Sequence, residues 1–180
     1  MRVVVVVVVA VALAGCNSAP GPVSASRQDR QLIIEVVRGG IAATQTALIP
    51  APPVCPGPVP EATREQLIAQ APTALGAYFT SPQLESEIAT VNRMATDPKA
   101  GSACEYGGGV DWVQLDRVDV SGSSADANGR VRVWSRVTQG LNSKMAEPRN
   151  TLDIRFHLIR IDGRWLISRY TWTFAQGSEP

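Results

Sequence analysis

Apolar side chains along this chain change period once, and the change divides it into a helical part and a strand part. From Ser26 to about Ala95, one-sided positions recur every three or four residues. They form the sets Ile33, Val37, Ile41, Thr44 and Leu48, then Leu67, Ala71, Leu75 and Phe79, then Leu84, Ile88, Val91 and Ala95. Each set covers one face of a helix. Ser26, with Asp29 three residues on, predicts the first helix start as a capping box. Ser81 as N-cap and Pro82 at the first helical position predict the third, and Asp97-Pro98 predicts its end. Gly39-Gly40 costs the first helix about 1 kcal/mol per glycine relative to alanine, so a kink or a close contact is expected there. Pro72 should kink or break the second helix, and the proline-rich run from Pro50 to Pro60 should be a stiff loop.

From Val110 the period becomes two. Strands are predicted over 110–120, 129–139, 150–161 and 164–174. Val131, Val133 and Val137 share a face of the second, and Leu152, Ile154, Phe156 and Leu158 share a face of the third. Asp162-Gly163 is a two-residue hairpin signal. Alternation fails between Leu115 and Val118, which predicts a bulge, and Cys104 with Gly107-Gly108-Gly109 reads as loop. The expected fold class is α+β: about three helices packed on one face of a four-stranded antiparallel β-meander, in a single domain over 26–176.

The N-terminus has a third pattern, an unbroken apolar run from Val3 to Ala12 followed by a small, polar, proline-containing segment. The run is shorter than the roughly 20 residues of a membrane-spanning helix and fits a secretory signal core. A buried strand would also suit seven valines, but not a terminal run followed by a disorder-prone segment. Leu13-Ala14-Gly15-Cys16 resembles the bacterial lipobox. That resemblance implies a signal peptide over 1–15, a diacylglyceryl group and often an N-acyl chain on Cys16, and a flexible tether over 16–25. The protein is then lipid-anchored to the cell membrane on its extracytoplasmic face; one acyl chain holds a protein marginally and two hold it stably.

With Cys16 lipidated, Cys55 and Cys104 remain as one even pair. In an oxidising compartment a disulfide between them would close a loop of about 50 residues and contribute on the order of 4 kcal/mol. The alternative is two unpaired thiols. Charge is balanced overall but unevenly placed. Residues 1–128 carry 8 Lys/Arg against 12 Asp/Glu, and residues 129–170 carry 9 against 3. In an exported protein nucleic acid is a poor explanation for this basic third, which would meet anionic headgroups, an acidic protein or simply water.

Catalytic constellations are sparse. His157 is the single histidine, and its alternation with Phe156 and Leu158 points it to the polar face, away from any Ser-His-Asp or Cys-His arrangement. One histidine and two cysteines do not make a zinc site. Gly107-Gly108-Gly109 lacks the following Lys-Ser/Thr of a phosphate loop. No metal and no cofactor is expected.

The helices, the segment Leu75-Gly-Ala-Tyr-Phe-Thr-Ser-Pro82 and the closing Asp162-Gly-Arg-Trp-Leu-Ile-Ser-Arg-Tyr-Thr-Trp172 together resemble the nuclear transport factor 2-like superfamily. The chain is particularly similar to actinobacterial extracytoplasmic members associated with lipid-import (Mce) systems and conjugation channels. The resemblance implies a cone between helices and sheet. Tyr78, Phe79, Phe156 and Leu158 could line it around a small apolar molecule. Some superfamily members are isomerases, and Asp116 or Asp119 is then the nearest candidate base, although no diagnostic catalytic motif accompanies the resemblance.

On the polar side of the strands, Arg130, Arg132, Trp134 and Arg136 share one face, as do Asp153, Arg155 and His157. A register placing Arg136 opposite Asp153, Trp134 opposite Arg155 and Arg132 opposite His157 makes a self-satisfying ladder. Arg132, Trp134, Arg136, Arg155 and His157 are therefore the candidate partner surface, aromatics and arginines being the residue types of binding hot spots. A regular Asp162-Gly163 hairpin adds Tyr170 and Trp172 to that face. A bulge near Ser168 instead turns Tyr170, Trp172 and Phe174 into the core, and both readings stand at this point. The sequence thus points to a non-catalytic accessory module that binds an envelope protein, with a carrier of a small apolar ligand as the alternative.

Overall fold

A computed structural model describes residues 23–46, 60–96, 104–138 and 146–178. Three helices, α1 (Arg27–Thr46), α2 (Glu61–Gly76) and α3 (Gln83–Thr96), cover one face of a five-stranded antiparallel sheet ordered β1-β2-β3-β4-β5. The strands are β1 (Val23–Ser24), β2 (Cys104–Ser121), β3 (Ser124–Thr138), β4 (Arg149–Ile161) and β5 (Arg164–Phe174). The α+β class is as expected, with five strands in place of four. The extra one is β1, which lies in the segment assigned to the tether and pairs Val23 with Val120 and Ser24 with Asp119. Two residues carry no legible period, so only the free edge of β2 reveals them.

Each helix buries the stripe its spacing predicts. Ile33, Val37 and Ile41 of α1, Ala71 and Leu75 of α2, and Val91 and Ala95 of α3 are all buried. At the start of α1 the Asp29 backbone N–H donates to Ser26 Oγ over 3.0 Å, satisfying one of the helix's unpaired donors as the capping pattern requires. Ser81 behaves differently: α3 begins at Gln83, and the Ser81 hydroxyl donates to the Glu85 carboxylate four residues on. Pro72 lies within α2, which continues to Gly76. Gly40 marks a close approach, since a Cβ there would stand 2.8 Å from Ile167 Cδ1 and 3.2 Å from Phe79 Cζ. The side chain is omitted because α1 is pressed onto β5 and the Phe79 turn.

On the inner sheet face, Leu152, Ile154, Phe156 and Leu158 interleave with Val131, Leu115 and Val118 in one apolar cluster with the helices. The Asp162-Gly163 hairpin forms as predicted, both residues at positive φ (49° and 78°). Two further findings correct the strand reading. Cys104 and Gly107-Gly108-Gly109 belong to β2 and are not loop. β2 slips against β3 between Glu105 and Gly107, Val110 and Trp112, and Leu115 and Arg117, so the expected bulge is one of three. Such bulges bend the strand and re-aim side chains, here Asp111 and Asp116.

The register of β3 with β4 also differs from the expected one. Arg130, not Arg136, stands opposite Asp153; Asn128 faces Arg155; Asp126 faces His157; Arg132 faces Thr151; Trp134 faces Arg149. A slip by an even number of residues keeps every side chain on its own face, so alternation could not choose between the registers. The alignment of hairpin tips chooses, with the Arg160 N–H donating to Ser123 O at 2.7 Å. In β5 a bulge at Ser168 makes Leu158 pair with Ile167 and Phe156 with Tyr170, so Tyr170, Trp172 and Phe174 turn toward the helix side. Tyr170 packs on Phe156 with ring centroids 5.7 Å apart. Cys16 and Cys55 lie outside the described residues, as do Leu48, the proline-rich run before Pro60, and Asp97-Pro98.

Candidate functional site

The helices leave the other face of the sheet open, and the polar residues of β2, β3 and β4 assemble there. Trp134 sits opposite Gly109, where a Cβ would approach its Nε1 to 2.9 Å; Gly107 lies under the same ring. The glycine run is thus a recess that lets an indole lie on the sheet. Arg136 places its guanidinium carbon 5.8 Å from the Trp134 ring centroid, within cation–π range.

Around this indole runs a chain of ion pairs. Arg136 Nη2 donates to Glu147 Oε2 at 3.0 Å, Arg149 Nη2 donates to Glu147 Oε1 at 2.5 Å, and Arg149 Nε donates to Asp111 Oδ2 at 3.2 Å. Arg132 Nε completes it, 3.7 Å from Asp111 Oδ2, buried and without a hydrogen bond among the described residues. Hydrogen bonds from Arg136 and then Arg149 hold the Glu147 carboxyl below its ordinary range. Farther along the face, Arg130 pairs with Asp153 at 3.1 Å and His157 Nδ1 lies 2.8 Å from Asp126 Oδ1.

Of the five residues assigned to the partner surface, Arg132, Trp134 and Arg136 come together in this ladder. Arg155 and His157 lie on the same face but around a separate shallow depression of about 350 Å3, shared with Asp126, Arg169 and Thr171. Arg155 has no hydrogen-bond or ion-pair partner among the described residues. The ladder also contains Asp111, Glu147 and Arg149, which the sequence reading missed. Arg149 was accessible in principle, since it continues the Thr151, Asp153, Arg155 alternation. Asp111 was not, because a bulge delivers it.

The inner face offers much less space. Phe79, Phe156 and Leu158, expected to line an open cone, are packed core at 3 % exposure or less, and Tyr78 lies on Gly39. Phe79, Phe156 and Leu158 fill the space between the helices and β5, and Tyr78 borders only a groove at the Gly163 end of the sheet. A smaller cavity of about 210 Å3 opens elsewhere, at the C-terminal end of α1, between Ile41, Gln45, Leu152, Tyr170, Trp172 and Phe174. Near it, Tyr170 Oη donates to Glu87 Oε1 at 3.0 Å. Burial and then the Glu87 charge push that phenol well above its ordinary range, so it stays a donor.

Neither candidate base faces the cone. Asp119 pairs with Arg117 at 2.5 Å, and Asp116 borders an outer depression with Arg130 and Asp153. The bulge at Asp116 and the pairing of Asp119 with Asp126 across β2–β3 put both on the open side. Among the described residues there is no cluster of three or more His, Cys, Asp or Glu able to hold a metal ion, and no helix long and apolar enough to cross a membrane.

Fold and site together define an α+β domain whose sheet is filled on one side and open, arginine-rich and aromatic on the other. No protein-family model and no curated protein matches the chain. Similar solved structures include the intermembrane space region of chloroplast protein ARC6, 12% identical over 79% of this chain and 97% of that one, TM-score 0.49. A protein of unknown function with a cystatin-like fold from Nostoc punctiforme is 10% identical over 86% and 97%, TM-score 0.45. An NTF2-like protein involved in plasmid conjugation is 6% identical over 84% of this chain and 50% of that one, TM-score 0.41.

Proposed function

We propose that this chain is a lipoprotein, anchored through Cys16 on the extracytoplasmic face of the cell membrane, whose α+β domain is a non-catalytic accessory binding a protein of a cell-envelope system. The observation that carries the reading is the open sheet face, where Trp134 is laid on a glycine recess and ringed by Arg132, Arg136 and Arg149. Folding needs the inner face filled; it does not need an indole and three arginines arranged on the outer one. A surface of this composition suits a partner that offers carboxylates and an apolar side chain to the indole. The resemblance of residues 75–82 and 162–172 to envelope-associated accessory domains supports the same reading.

In-cell crosslinking of the lipidated protein, followed by mass spectrometry of what it captures, tests it. One envelope complex should be enriched and lost in Trp134→Ala/Arg155→Ala. Capture that is unspecific, or that survives the double variant, would reject the open face as the binding surface. The second reading, a carrier of a small apolar molecule, rests on the cavity beside Tyr170 and Trp172; at about 210 Å3 it is below the usual 300 to 1,000 Å3 of ligand sites. Organic extraction of the purified protein should then yield one bound species, and an empty extract would remove this reading. A disulfide between Cys55 and Cys104 belongs to the same proposal, and alkylation of both thiols in the native protein would reject it.

A further inference from the structure

Resting on the lipid anchor proposed above, the position of β1 assigns the domain a direction relative to the membrane. Val23 pairs with Val120, at the end of β2 next to the β2–β3 turn, so the chain enters the domain at that end of the sheet. The antiparallel order puts the β4–β5 hairpin, Asp162-Gly163, at the same end. Asp29 in the first turn of α1 meets Arg160 and Trp165 there as well. The opposite end carries Trp134, its arginine ladder, the C-terminal end of α1 and the small cavity.

Chain length then limits the orientation. Seven peptide units separate Cys16 from Val23, a reach of at most about 25 Å. Trp134 pairs with Gly109, eleven residues along β2 from Val120, roughly 35 Å at strand rise. A domain turned over, ladder toward the bilayer, would need a longer tether than it has.

The entry end also has the chemistry of an interfacial seat. Val23 is 63% exposed, Ile161 41% and Leu32 39%, three of the exposed large apolar residues of the described chain. Leu32 borders a groove of about 380 Å3 with Glu35, Val36, Tyr78, Gly163 and Arg164. Apolar side chains beside arginines suit the boundary between headgroups and acyl chains. Lying flat on the open face gains less, because Arg117, Arg130, Arg132, Arg136 and Arg149 there already pair with Asp119, Asp153, Asp111 and Glu147.

We propose that the domain stands on the bilayer with the β2–β3 and β4–β5 hairpin tips and the Val23, Leu32 and Ile161 side chains at the headgroups, presenting the Trp134 ladder away from the membrane. The test uses the lipidated full chain in anionic nanodiscs carrying a gadolinium-chelating lipid, with amide signals read by NMR. Gly122 and Gly163 should be broadened several-fold more than Glu147 and Gly177, and Leu32→Asp/Ile161→Asp should weaken that gradient. Equal broadening at the two ends, or a reversed gradient, overturns the orientation while leaving the anchor intact. Cys16→Ser should leave the discs altogether. Retention of that variant overturns the anchor, and the length argument with it.

Discussion

The two faces of the sheet share strands, hairpins and solvent, and differ in what holds their side chains in place. On the inner face Leu158, Ile167 and Val131 are fully buried and touch helices from distant parts of the chain. Burying one such side chain is worth about 2 kcal/mol. On the outer face Arg130–Asp153 and Arg136–Glu147 are ion pairs with side chains a third to more than half exposed, and exposed pairs of this kind stabilise far less than a buried side chain does. Stability therefore constrains one face strongly and the other weakly. A surface that stability leaves free, and that still collects Trp134 and three arginines in one place, is where function is expected to have acted.

Substitutions can sharpen or break this contrast. Leu158→Ala should cost about 3 kcal/mol, the lost transfer energy plus the cavity, read as a lower midpoint in chemical denaturation; a loss under 1 kcal/mol would mean the inner face is loosely packed. Gly40→Val should cost about 2 kcal/mol, because its side chain would collide with Ile167 and Phe79. Tyr170→Phe removes the phenol donor of Glu87 and should cost about 1 kcal/mol, with no change if that hydrogen bond is replaced by water.

Asp29 joins α1 to the sheet and is a pH probe of the same side. Partial desolvation opposes its ionisation, but hydrogen bonds from Ser26 and Trp165 and the charge of Arg160 outweigh it, leaving the carboxyl below its ordinary range. A folded pKa below the unfolded one contributes stability that is present above about 3.9 and lost as pH falls through the folded value. Asp29→Asn should therefore flatten the acid limb of a stability–pH curve and leave the neutral-to-basic limb parallel to that of the parent. At the bottom of the scale, Arg130→Ala should shift stability by less than about 0.5 kcal/mol, and 1 M salt should erase the difference. A loss comparable to Leu158→Ala would dissolve the distinction between the faces.

Much of the inner face was legible from residue spacing. The stripe Ile33, Val37, Ile41 and the alternation Leu152, Ile154, Phe156, Leu158 name buried residues because burial is periodic in local structure. The outer face was legible only as a list of members. That Arg132, Trp134 and Arg136 share it followed from period two; that Asp111 and Glu147 neutralise it did not. Part of the basic excess of residues 129–170 is offset in space by acids that lie earlier in the chain, Asp111 beside Arg132 and Arg149 and Asp29 beside Arg160.

By itself the sequence determined the helix stripes, the capped start of α1, the hairpin at Asp162-Gly163 and the faces of the regularly alternating residues of β3 and β4, because these depend on backbone geometry over a few neighbouring residues. Tertiary structure decided the register of β3 on β4, the bulges that carry Asp111 into the ladder and turn Tyr170 inward, the recess at Gly107 and Gly109, and the edge strand at Val23. An even slip leaves every local pattern unchanged, so these features are selected only by contacts between residues far apart in the chain.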